Sequence, residues 1–124
     1  MVVRAKINDL QLQTRHKDIT PGNHYRVIQV TQMDFRIMSD DGQPYIYARS
    51  FFDLVSDKIP DDWVLREESV DGEIMTSGGP ACFSEVGFFE RYFEKDETAQ
   101  MTLRVRIARW GSGEDYTINN GGKQ

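Results

Sequence analysis

Cysteine is almost missing from this chain. Cys82 is the only one in 124 residues, so no internal disulfide can form. Histidine is nearly as scarce. His16 and His24 sit outside any H-x-x-x-H spacing and away from Cys82, and a zinc site is not expected. No apolar run approaches the roughly 20 residues that cross a bilayer. The opening "MVVRAKINDL", with Arg4 and Lys6, does not read as a secretory signal. These absences lead to the expectation of a cytoplasmic protein in a reducing setting, with no membrane partner.

Catalytic signatures are missing too. No G-x-S-x-G marks a serine nucleophile, and Cys82, between Ala81 and Phe83, reads as a buried inert thiol. "SGGP" and "GSGE" lack the spacing of phosphate loops and read as links, and no D-x-D-x-D-G calcium loop occurs. The expectation is a non-enzyme with no cofactor and no metal.

What the chain does have is aromatic residues and acid. Seven Phe, five Tyr and two Trp within a 39% apolar composition describe a globular protein. The length suits one domain, read as residues 1–110, with "GSGEDYTINNGGKQ" (111–124) as a flexible tail. The net charge of −5 is uneven: residues 1–31 carry +3, residues 32–100 carry −10 and residues 101–124 carry +2. An acidic middle disfavours nucleic acid phosphate and suits a basic protein partner.

Short alternating segments fill the first half. "VVRAKI" and "LQLQT" alternate, "ITPGNHY" turns at Pro21-Gly22, and "YRVIQVT", "FRIMS" and "YIYA" read as strands. With Asp41-Gly42 as a two-residue turn, Ile37 faces Ile46 and Arg36 faces Tyr47. That register puts Phe35, Ile37, Ile46 and Ala48 on a core face, and Arg36, Met38, Tyr45 and Tyr47 on a half-exposed one. "SFFDLVSD" reads as a helical turn or a strand, and "WVLREESV" and "EIMT" flank a second hairpin turn at Asp71-Gly72. A helix capped by Ser84 is expected to bury Val86, Phe89 and Phe93, leaving Phe88 and Tyr92 to one side. Residues 101–110 fit strand or helix, with charge and glycine signals favouring helix. The fold class is α+β: a small antiparallel sheet, in its most specific form an SH3-like barrel, with one or two C-terminal helices.

The paired carboxylates Asp40/Asp41 and Asp61/Asp62, with Asp53, are the first candidates for acid–base or metal chemistry. Each pair sits beside turn residues, and adjacent strand residues point to opposite faces, so a structural role in turns is the stronger reading. As partner contacts, Asp40, Asp41, Asp61 and Asp62 would steer a basic surface, with Tyr45, Tyr47 and Trp63 as anchors. Of these, Trp63 has the strongest case for packing inward, as a tryptophan after a turn usually does.

The series "ITPGNHYRVIQV", "FRIMSDDGQPYIY", "FFDLV" and "IPDDW" resembles small bacterial proteins of unassigned function, over about residues 19–64. The resemblance implies an SH3-like barrel. By class and charge alone, the chain also resembles immunity proteins, which block a cognate toxin by binding it. The leading expectation is therefore an immunity-type inhibitor whose partner is a basic toxin domain. The alternative is an SH3-like regulatory or adaptor module that binds a peptide or RNA. Phe88 and Tyr92 leave room for a homodimer.

Overall fold

The computed structural model describes residues 1–7 and 18–110. The strands are β1 (Val2–Ala5), β2 (His24–Thr31), β3 (Asp34–Met38), β4 (Pro44–Ala48), β5 (Phe52–Ser56), β6 (Trp63–Val70) and β7 (Glu73–Pro80). Two helices follow, α1 (Phe88–Phe93) and the longer α2 (Glu97–Trp110). All pairings are antiparallel. They run β4-β3-β2-β1-β5, with β7 joined to β2 and β6 outside β7. Among the described residues β4 and β5 each pair with one neighbour, so the sheet is open.

β2 is the central strand. Its Tyr25–Ile28 run is buried at every position, which requires cover on both faces. Tyr25 and Val27 join Val3, Ile37, Tyr47 and Phe52 in one core. Ile28 joins Phe83, Phe88, Phe89, Ala99 and Leu103 in a second core beneath the helices. The ladder to β3 shifts between Val27, which pairs with Ile37, and Gln29, which pairs with Arg36. Ile28 is the extra residue of a β-bulge, so two successive side chains lie on one face. Ile28 enters the helix-side core, and Gln29 Oε1 accepts a 2.8 Å hydrogen bond from Arg36 Nε.

The first hairpin departs from its expected register by one residue. Ile37 pairs with Tyr45 and Arg36 with Ile46. Gly42 N donates to Ser39 O (3.0 Å), Ser39 N donates to Gln43 O (2.9 Å), and Gly42 sits at φ +78°. The loop is thus three residues, a turn finished by a left-handed glycine, and not the two-residue turn. A one-residue slip exchanges the faces of the strand. Tyr47 is buried beside Phe35 and Ile37, Tyr45 is half-buried, and Ile46 is exposed. The second hairpin keeps its expected register: Val70 pairs with Glu73 across Asp71 (φ 52°) and Gly72 (φ 81°).

Three further expectations change. "SGGP" is the end of β7, not a link. α1 starts after Gly87 at φ 79°, not at Ser84, and buries Phe88 and Phe89 while Val86 and Phe93 are exposed. Residue Cys82 is exposed. "SFFDLVSD" combines its two readings, a single 3-10 turn at Arg49–Phe51 followed by β5. Residues 101–110 are helical, with Ala99 and Leu103 buried. "LQLQT" and the 111–124 stretch lie outside the described residues.

β7 crosses closest to β2 at the bulge. A Cβ on Gly79 would stand 2.7 Å from the Ile28 carbonyl oxygen, whereas one on Gly78 would meet nothing nearer than 3.7 Å. Gly79→Ala is therefore expected to destabilise the protein by about 1–3 kcal/mol, as overpacking does, and Gly78→Ala by clearly less. Urea denaturation of the two variants checks the difference.

Candidate functional site

Most of the acids singled out from the sequence hold the fold together. Asp40 accepts hydrogen bonds from the Tyr25 hydroxyl (2.8 Å) and Thr20 Oγ1 (2.7 Å). Asp41 accepts from Ser39 Oγ and from Gln43 N (3.3 Å), closing its own turn. Asp62 is paired with the buried guanidinium of Arg106, which ties α2 to the start of β6. Asp61 is exposed in the same turn. Of the aromatics, Tyr47 is buried and donates to Asp18, and Trp63 packs against the first core. Tyr45 stacks on Phe93 with centroids 5.7 Å apart and rings 2° from parallel. The structure thus places the four acids in two separate turns and the three aromatics in or against the first core, and does not gather them into one surface.

Burial raises the Tyr25 phenol to about 12, with Asp40 adding to the shift. Burial and Asp18 move Tyr47 upward in the same way. His24 lies on β2 opposite Arg4, and His16 is outside the described residues. Although the residue is exposed overall, partial desolvation of its sulfur pushes the Cys82 thiol up, against the pull of Arg106. Among the described residues no three metal-ligating side chains come together.

One surface that neither core uses is the far part of the β6–β7 hairpin. β7 pairs with β2 only through Ser77 and Gly78, so the hairpin from Glu67 to Thr76 projects beyond the sheet as an arm. The root of the arm is fixed by the Gly79 crossing, by the Asp62–Arg106 pair and by a hydrogen bond from Arg66 NH1 to Ser84 O. The tip presents Glu67, Glu68, Asp71 and Glu73, all exposed. Two apolar side chains stand out beside them, Leu65 at 74% and Ile74 at 64% exposure. Among the described residues Glu68 is the one tip acid in an ion pair, 3.4 Å from Arg66.

One groove lies along the arm and another along the root of the hairpin. One, of about 630 Å³, runs between the arm and α1 and is lined by Arg36, Arg66, Glu68, Glu85, Phe89 and Glu90 among others. Arg36 lies over the Phe89 ring at 4.1 Å. Burial lowers its guanidinium to about 10, opposed by Glu90 and Asp34, so it stays charged at neutral pH. The other groove, of about 500 Å³, is more apolar and includes Val30, Ile59, Trp63 and Leu65. The sequence held a signal for this arm. In "WVLREES" neither alternating set is wholly apolar, as a strand without a core face requires.

No family model, curated protein or solved structure matches the chain.

Two outcomes follow for the acids. Asp62→Ala leaves Arg106 buried without its carboxylate and is expected to lower stability by about 2–3 kcal/mol, below a fully buried pair because the Asp62 side chain is 40% exposed. Asp61→Ala should stay within about 0.5 kcal/mol; chemical denaturation distinguishes them. Tyr25 holds its proton more tightly folded than unfolded. Its contribution is complete below the ordinary phenol value of 10.0 and is lost as pH rises toward about 12. Alkaline unfolding followed by phenolate absorbance should show this loss, and Tyr25→Phe should flatten it.

Proposed function

We propose that this chain is a non-catalytic protein-binding protein, most specifically an immunity-type inhibitor that neutralises a bacterial toxin through an acidic surface. The observation that carries the reading is the arm. Its four acids and Ile74 lie on a segment that neither core needs, and Leu65 stands exposed at its root. Exposed carboxylates accelerate encounter with a basic partner, and Leu65 and Ile74 supply area for a stable contact. The acidic surface expected from Asp40, Asp41, Asp61 and Asp62 is thereby moved to Glu67, Glu68, Asp71 and Glu73. Asp61, Tyr45 and Trp63 stay available as flanking contacts through their exposed or half-exposed surface.

The strand order β4-β3-β2-β1-β5, with the 3-10 turn before β5, supports a second reading of this part as an SH3-like adaptor module. Its partner would be a basic peptide, because the net charge of −5 repels RNA.

Reversing Glu67 and Glu73 to lysine should slow association with a candidate basic toxin domain about tenfold at low salt, and leave the rate nearly unchanged at high salt. Stopped-flow kinetics against ionic strength checks this. An association rate indifferent to both salt and charge reversal rejects the acidic-surface reading.

A further inference from the structure

β6 is an edge strand, and its register shows which of its backbone groups look outward. Val70 and Glu73 close a two-residue turn and exchange both hydrogen bonds of a narrow pair. Narrow and wide pairs alternate, so Glu68 and Arg66 also bond to β7. Leu65, Glu67 and Ser69 then direct their N–H and C=O groups away from β7. An independent contact fixes the same phase: the Ile74 carbonyl, opposite Ser69, accepts from Gln32 Nε2 at 3.4 Å, on the β2 side of β7. Among the described residues no backbone group bonds the outward side of Leu65, Glu67 or Ser69.

An open edge accepts another strand, and the side chains along it decide which. From Trp63 to Pro80 four acids stand against one arginine. A second copy of this chain would bring the same four acids to the same edge and is opposed by like charge. A strand carrying lysine or arginine is favoured. Glu67 and Glu68 point to opposite faces of β6, so each face of the incoming strand meets one carboxylate. Leu65, on the Glu67 face and 74% exposed, offers an apolar neighbour.

The geometry points to strand addition: an extended, lysine- or arginine-bearing segment of a protein partner pairs with the outward edge of β6 at Leu65, Glu67 and Ser69. This deepens the acidic-arm reading and rests on it. The main-chain bonds supply affinity that any segment could claim, and the two carboxylates and Leu65 supply the choice of sequence.

The test uses the full chain and a synthetic alternating lysine–valine peptide of the length of β6, with a glutamate–valine peptide as control. On adding the basic peptide, the amides of Leu65, Glu67 and Ser69 should gain protection from hydrogen exchange, and those of Arg66 and Glu68, already bonded to β7, should change little. Glu67→Pro removes one outward N–H and leaves the β7 ladder intact. It should weaken peptide binding about tenfold relative to Glu67→Gln, which removes the charge alone. The exchange measurement on the unaltered protein decides the matter even if the proline variant misfolds. Protection elsewhere, or equal binding by the two variants, overturns strand addition and leaves the acidic-surface reading standing. Failure of the basic peptide to bind at low salt, or binding no better than the glutamate–valine control, overturns both. A concentration-dependent dimer that Glu67→Pro abolishes makes the edge a self-interface and also overturns the proposal.

Discussion

The extra residue in β2 is the constraint on which the rest of the structure depends. A regular strand sends alternate side chains to alternate faces. With Ile28 inserted against β3, Ile28 and Gln29 share the helix-side face, and Val30 returns to the first core. Ile28 is the sheet's deepest contribution to the core beneath α1 and α2, at 1% exposure. Gln29 receives Arg36, whose guanidinium reaches over Phe89 of α1. The same residue presents the carbonyl that β7 must cross, and only a glycine at position 79 leaves room for it. The helix platform, the path of β7 and the departure of the arm therefore share one local irregularity.

What was legible in the sequence divides along physical lines. Asp71-Gly72 was readable because both residues take φ > 0, the requirement of a two-residue primed turn. "SDDG" satisfies that turn and a three-residue turn equally well, since both end on a left-handed glycine. Asp40 decides between them: it leaves the ladder to accept Tyr25 and Thr20, residues brought close only by the tertiary fold. The slip then moves Tyr47 inward, where Asp18 receives its hydroxyl. Aromatic periodicity misled for a related reason. α1 has six residues, too few for one apolar stripe to dominate, and Phe88 and Phe89 are both buried because Ile28 and Phe83 fill the space around them. α2 was readable from its end signals, but the burial of Arg106 was not, because its partner Asp62 is 44 residues away.

The acidic middle of the chain is two populations with different physics. Asp40, Asp41 and Asp62 accept hydrogen bonds from groups of the fold, and their worth lies in tying those groups together. Glu67, Asp71 and Glu73 are exposed on a two-stranded arm and add mutual repulsion to it. A two-stranded ribbon is marginal by itself. This one persists because its root is held at three places, by Gly79 against Ile28, Asp62 against Arg106 and Arg66 against the Ser84 carbonyl.

That division sets how the arm can change. The exposed side chains of Glu68, Ser69, Asp71, Glu73 and Ile74 belong to neither core, so substitutions there alter charge and shape with little loss of stability. Substitutions at Asp62 or Gly79 act in reverse: they shift the root and carry every tip residue with it. If the arm is the proposed binding surface, it can vary at its tip while its root is held at the bulge. The acids also oppose pairing of the β6 edge with another copy through like charge, so on the proposed reading the feature that would attract a basic strand disfavours joining copies of this chain. On the proposed reading the sign of the arm's charge would serve both tasks, and neither needs a residue from the core.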